Sequence, residues 1–259
     1  MRAIPAISSR LDGAGAIVTG AASGMGRATA ILLARAGASV AVTDVGLEQA
    51  QRVADEIAGE GLRAKAWALD VADQGRIEAV VQDAVASFGD VSIIVNNAGI
   101  SANLPIDDPS YDQSWDRHLS VLLTAHQRLI RAALPYLRRA AHPRIVNIAS
   151  TEGLGATAGF SAYSAAKAGV IGLTRSLAVE LGKSGITVNC ICPGPIETGM
   201  TEAIPDEAKQ VYAARRTALR RYGLPEEVAF MTASLCAPAA SFVTGAIIPV
   251  DGGLMARNA

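Results

Sequence analysis

The chain has 259 residues, half of them hydrophobic, enough to bury the core of one large domain. Charged residues make up 18%, and 23 lysines and arginines against 24 aspartates and glutamates leave a net charge of −1, without the basic surplus that phosphate backbones demand, so nucleic acid is not an expected partner. Three cysteines (Cys190, Cys192, Cys236) are too few for a disulfide framework, and neither a secretory signal nor a long apolar span is present, which points to a soluble cytoplasmic protein with no membrane partner.

Seven short β-rich apolar runs follow one another at residues 16–19, 39–44, 65–70, 91–96, 144–150, 187–193 and 246–250. Most intervals carry a helical pattern, as at 28–36 before Gly37, 47–58 before Gly59 and 74–88 before Gly89, each glycine being read as the residue that ends its helix. Runs apolar along their full length imply strands covered on both faces, and parallel strands need helical crossovers. The expected fold is therefore an α/β, doubly wound parallel sheet of about seven strands flanked by helices. No linker or repeat divides the chain, so residues 1–259 are read as a single domain, with 195–224, the segment of weakest pattern, as a lid over the substrate. In such a sheet ligands bind beyond the carboxyl ends of the strands, where strand order reverses.

The first strand runs into Thr19-Gly20-Ala-Ala-Ser23-Gly24-Met25-Gly26, followed by a good helix former. Glycines allow close backbone approach and the helix N-terminus supplies free N–H groups, a cradle for a pyrophosphate. Asp44, at the end of the second strand, is placed to accept hydrogen bonds from an adenosine ribose and to repel a 2′-phosphate, and Val45 after it offers no cation. Arg27, in the turn, is the one alternative route to a 2′-phosphate. NAD is the expected cofactor. Asp70 and Val71 close the third strand and suit an adenine contact; Asn97, Ala98 and Gly99 close the fourth and suit a small-residue wall for ribose and nicotinamide.

Ser150 ends the fifth strand, and Tyr163-Ser-Ala-Ala-Lys167 opens a long helix with phenol and ammonium on one face. A cation held nearby is expected to lower the phenol's pKa and make Tyr163 a usable general base, with Ser150 bonding the same substrate oxygen.

Thr-Gly-x-x-x-Gly-x-Gly at 19–26, Asn-Asn-Ala-Gly at 96–99, Ser150, Tyr-x-x-x-Lys at 163–167 and Pro193-Gly194 together resemble the short-chain dehydrogenase/reductase family, in its compact single-domain branch. That resemblance implies a Rossmann-type fold and an NAD-dependent oxidoreductase acting on a small-molecule alcohol or ketone. It also implies Tyr163 as acid/base, Lys167 on the nicotinamide ribose and Ser150 positioning the substrate. The stretch of Pro193, Gly194, Ile196 and Thr198 is similar to the one that meets the nicotinamide carboxamide, through the Ile196 main chain and the Thr198 side chain. Homotetramers are common among such relatives. One position departs: the family's helix asparagine, which holds a relay water, is here Leu122, with Ser120 and Thr124 nearby. An NADPH-dependent 3-oxoacyl ketoreductase and a dinucleotide-binding regulatory protein are the rival readings.

His118, His126 and His142 make no metal-ligand pattern and are read as surface or packing residues. Cys190 and Cys192 are read as facing opposite sides of their strand, hence as structural thiols. The arginine pairs at 138/139, 215/216 and 220/221 are read as solvated, and Glu152 as facing either substrate or water. Residues 100–112, 152–160 and 195–224 are expected to line a pocket for an apolar or cyclic substrate.

Overall fold

The computed structural model describes residues 8–257. Strands β1 (Gly15–Thr19), β2 (Ser39–Asp44), β3 (Ala64–Ala68), β4 (Ile93–Asn96), β5 (Arg144–Ile148), β6 (Thr187–Pro193) and β7 (Ile247–Val250) form one parallel sheet in the order β3-β2-β1-β4-β5-β6-β7. Alternation along each strand divides its side chains between two cores. Ala16, Val18, Val40, Val42, Val95, Val146 and Ile191 pack with helices α1 (Gly24–Arg35), α2 (Leu47–Gly59) and, late in the chain, Pro225–Cys236. Ile17, Ala41, Ile94, Ile145 and Val188 face the other way, onto α3 (Gln74–Phe88), the helical run 111–137, and Ser161–Leu181. A sheet apolar on both faces and covered on both is what the continuous hydrophobic runs require.

The run 111–137 is two helices, α4 (Tyr111–Leu119) and α5 (Ala125–Leu137), joined without a break by a π-turn, Ser120–Thr124, with Leu122 at its centre. After β5 come α6 (Ser161–Leu181), then α7 (Asp206–Arg216) and α8 (Pro225–Cys236).

Two expectations need correction here. Gly59 is not the left-handed residue beyond α2: it is the helix's own last residue, and the chain reverses at Gly61, whose φ of +76° is the left-handed value. The glycine nearest the end of a periodic run need not be the one that leaves it. Cys190 and Cys192 share one face, in a small cluster with Ala149, Val170 and Ile171, because residues two apart on a strand point the same way.

Residues 195–224 hold a 3₁₀ turn (Gly199–Thr201) and α7, and they close at the neck. Ile196 and Gly223 form a parallel bridge in which Glu197 N–H donates to the Gly223 carbonyl and Gly223 N–H to that of Pro195, both at 2.9 Å.

Candidate active site

Strand order reverses between β1 and β4, and a cleft of about 520 Å³ opens beyond their carboxyl ends. Gly20, Ser23, Gly24, Met25, Gly26, Asp44, Asp70, Val71, Asn97, Ala98, Gly99, Tyr163, Lys167 and Thr198 all line it. Pro193, Gly194 and Ile196 do not. Pro193 is the last residue of β6, Gly194 packs on Asp251, and the Ile196 side chain belongs to the core. The neck bridge uses the amides of Glu197 and Gly223, not that of Ile196. Ser150 stands just behind the wall, next to Ala149.

The glycine-rich turn is held from behind. Asn97 Nδ2 donates to the Thr19 and Gly20 carbonyls at 2.8 and 3.1 Å, while the Thr19 hydroxyl accepts from the Asn97 and Ala98 amides. Gly26 is required by close approach, since a Cβ there would lie 2.1 Å from the Gly20 carbonyl oxygen. Ser23 precedes α1 without capping it, and the first turn carries no acid, so the helix presents bare amides to the cleft. Across from it, Thr198 stands opposite Gly24, and Gly199 and Met200 extend that side.

Asp44 is fixed by the turn itself: Ala22 N–H donates to its Oδ2 at 3.1 Å. Val45 beside it is exposed. Arg27 forms an ion pair with Glu56 at 2.5 Å, both side chains about 40% exposed. Asp70 accepts from Ala72 N–H at 2.9 Å in a tight local turn.

Tyr163 and Lys167 share a face of α6. Lys167 is 3% exposed, and its Nζ donates to the Ile148 carbonyl at 2.8 Å and lies 5.7 Å from the centre of the Tyr163 ring. Ser150 Oγ accepts from Glu152 N–H at 3.1 Å, starting a single 3₁₀ turn whose Gly153 seats directly on the backbone of α6 at Lys167. Burial pushes the Tyr163 phenol above the ordinary tyrosine range; the Ser150 hydroxyl pulls it down and the Glu152 carboxylate pushes it further up. Burial also lowers Lys167 to about 8. The expected depression of the phenol by Lys167 is therefore reversed in this structure. Loss of water around the phenol is the largest cause, and the one opposing pull comes from the Ser150 hydroxyl rather than from the Lys167 ammonium, which is turned to a carbonyl.

Sequence reading missed Leu69, Arg117, Val121, Ile148 and Ala149 in the cleft wall, while Ile100, Gly199 and Met200 come from the stretches expected to line a pocket. Arg117 was findable, lying in the same helical run as Leu122; the apolar members carry no signal apart from their neighbours. The loops expected around the substrate are tied together: Leu104 N–H donates to the Gly159 carbonyl at 2.7 Å and Asn103 Nδ2 to that of Ala158 at 3.1 Å.

A doubly wound sheet with a dinucleotide-sized cleft at its switch point, flanked by tyrosine, lysine and serine, defines a class, and residues 20–255 match a family described as enoyl-(acyl carrier protein) reductase. The chain belongs to the short-chain dehydrogenase/reductase family of oxidoreductases, which use nicotinamide dinucleotides. It is 37% identical over 246 residues to the 3-oxoacyl-(acyl-carrier-protein) reductase of Thermotoga maritima, covering 95% of this chain and 99% of that protein. It is 42% identical over 242 residues to the cis-4-hydroxycyclohexanecarboxylate dehydrogenase of Sinomonas cyclohexanicum, covering 93% and 96%. The crystal structure of a dehydrogenase/reductase from Sinorhizobium meliloti 1021 superposes with a TM-score of 0.90 at 39% identity, covering 97% of this chain and 98% of that one. No helix among the described residues is long and apolar enough to cross a membrane.

Proposed function

We propose that the protein is an NAD-dependent oxidoreductase that interconverts a secondary alcohol and a ketone, with Tyr163 as general acid/base, Lys167 as ribose anchor and Ser150 as the residue that orients the substrate oxygen. The observation that carries the reading is the placement of Tyr163 and Lys167 in the wall of the same cleft as Gly24 and Asp44. The cleft fits the cofactor: uncapped helix amides meet the pyrophosphate, the fixed Asp44 carboxylate accepts from the adenosine ribose, and Thr198 stands where the family pattern has a carboxamide contact. Pro193, Gly194 and the Ile196 main chain then act from just outside the wall, by holding that segment.

When bound, the nicotinamide ring supplies hydride acceptance or donation. The chain handles the proton. In reduction the Tyr163 phenol, the form its burial favours, donates to the carbonyl oxygen and is left as phenolate; in oxidation the phenolate takes the hydroxyl proton and becomes phenol again. Ser150 bonds the same oxygen. Two of Lys167's three ammonium protons are left by the Ile148 carbonyl to reach ribose hydroxyls and water.

NAD over NADP follows from Asp44, whose charge opposes a 2′-phosphate; Arg27 is held by Glu56 only through a partly exposed ion pair and does not decide the choice. We assign residues 195–224 as the substrate lid, residues 100–112 and 152–160 as the other walls, and a small alcohol or ketone as substrate. The protein is placed in the cytoplasm as a homotetramer, for which the exposed Phe230 and Phe242 offer contact surface, and sedimentation at micromolar concentration checks that assembly. The names of two relatives support two substrate types, a 3-oxoacyl thioester and a hydroxylated cyclohexane ring.

A panel of cyclic ketones and 3-oxoacyl thioesters with NADH and NADPH, followed at the nicotinamide absorbance, tests the reading. Tyr163→Phe should cut turnover by about a hundredfold or more while NADH binding is kept. Full turnover in that variant removes Tyr163 from its role, and NADH binding with no turnover on the whole panel replaces the enzyme with a dinucleotide-responsive binding protein.

A further inference from the structure

Glu152 follows Ser150 by two residues, and its backbone is fixed against the reacting groups. Its amide donates to Ser150 Oγ at 3.1 Å, and the 3₁₀ turn it shares with Gly153 is seated on α6 at Lys167. The side chain is half-buried, and its two oxygens differ. Oε1 accepts from the Thr157 hydroxyl at 2.8 Å, within the same loop. Oε2 is buried and meets no donor among the described residues, and none of the ion pairs formed among them includes this carboxylate.

Two phenols feel its charge. Burial is the main reason that Tyr163, on α6, and Tyr212, on the lid helix α7, are raised above the ordinary tyrosine range, and the Glu152 carboxylate adds to the rise at both. The carboxylate therefore lies in the region that the acid/base residue shares with the lid.

A carboxylate oxygen taken out of water and left without a donor is costly to bury, and a valine in its place would incur no such cost. Its lone pairs only accept, so the group that satisfies it must donate: a hydroxyl or an ammonium fits, whereas a second carboxylate is repelled. Ser150 and Tyr163 hold the reacting oxygen, and Glu152 hangs from the turn that begins at Ser150, so the donor belongs close to the reacting carbon. A buried acceptor also discriminates more sharply than an apolar wall, because a substrate lacking the donor leaves it unpaired.

We propose that Glu152 Oε2 accepts a hydrogen bond from the substrate, which makes Glu152 a specificity-determining residue and requires the substrate to carry a hydroxyl or ammonium close to the reacting carbon. The inference rests on the roles given above to Ser150 and Tyr163 and deepens them by naming the substrate class: diols and hydroxyketones, or their amino counterparts. Glu152 binds and selects; the proton and the hydride pass elsewhere.

Cyclohexanediols with the second hydroxyl one or two carbons from the first are compared, in oxidation, with methylcyclohexanols and aminocyclohexanols substituted at the same carbon. Wild type should favour a diol or an amino alcohol over its methyl counterpart by about tenfold or more in kcat/KM. In Glu152→Val that advantage should shrink to within about twofold. Glu152→Gln keeps an acceptor for Thr157, and with it the loop, and it separates the two donors: a hydroxyl retains part of its advantage by accepting from the amide, and an ammonium loses all of it. Equal use of donor and methyl compounds by wild type overturns the proposal, as does a preference that survives Glu152→Val. Saturation-transfer NMR of the same compounds with the NADH-bound protein repeats the comparison without turnover. A diol or amino-alcohol preference in binding that vanishes in Glu152→Val, on a protein that oxidises none of the set, keeps the Glu152 site and removes the catalytic reading. Oxidation with no such preference keeps the catalytic reading and removes the site.

Discussion

Replacing Lys167 by methionine should remove a rise of stability with pH, and the size of that rise follows from burial. In the folded chain the ammonium's pKa is lowered from 10.5 to about 8. Because the folded value is the lower one, the unfolded chain holds the proton more tightly between about pH 8 and pH 10.5, and stability increases with pH through that window. At pH 7 nearly the whole penalty is in force: a gap of between two and three pH units at roughly 1.4 kcal/mol each opposes folding by about 3 kcal/mol. By pH 9.5 about 2 kcal/mol of it has gone. Urea unfolding followed by circular dichroism, on wild type and Lys167→Met at both pH values, isolates the effect, since every other titrating group is common to the two proteins. Wild type should gain about 2 kcal/mol on the variant between pH 7 and pH 9.5. The Ile148 carbonyl, left unpaired by methionine, offsets part of the variant's advantage equally at both. A difference that does not change with pH would refute the buried-ammonium argument.

Asp44→Ala should tighten NADPH binding by roughly ten- to a hundredfold, from about 1–3 kcal/mol of relieved charge repulsion at a partly solvated site, as read by nucleotide fluorescence; unchanged affinity would remove Asp44 from cofactor choice. Gly26→Ala puts a methyl 2.1 Å from the Gly20 carbonyl oxygen and 2.5 Å from Asn97 Nδ2, so the thermal midpoint should fall by the equivalent of about 1–3 kcal/mol and NADH binding should weaken with it. Asn147→Ala breaks a buried chain in which Asn96 Nδ2 donates to Asn147 Oδ1 at 2.9 Å and Asn147 Nδ2 to Thr174 Oγ1 at 3.0 Å. It should cost about 2–4 kcal/mol in denaturant unfolding, and a smaller loss would mean that water replaces the amide.

The sheet was legible because burial on both faces leaves a signature no loop imitates: Val91-Ser-Ile-Ile-Val95 has few readings other than an interior strand. The turn at 19–26 was legible because its chemistry is local, the glycines, the strand and the helix all lying within one short stretch. What escaped depends on neighbours distant in sequence. Nothing in Tyr163-x-x-x-Lys167 says how much water the fold leaves around the phenol, so the direction of its shift was read wrongly. His118 and His126, read as surface or packing residues, are both interior, a distinction that only their neighbours in space could make. The two cysteines failed for a plainer reason, a miscounted alternation. Pro193, Gly194 and Ile196 adjoin Thr198 in sequence, yet the turn after β6 sends only the threonine into the wall.

The ion pair between Arg27 and Glu56 bears on how far the NAD preference proposed above stands from its opposite. Partly exposed pairs of that kind hold their members with only about 0–1 kcal/mol, so Glu56 has the guanidinium on loan. A positive charge suited to a 2′-phosphate thus already waits at the mouth of the phosphate turn, and one carboxylate at the tip of β2 stands in its way. The distance between two metabolic pools is, on that reckoning, a single side chain.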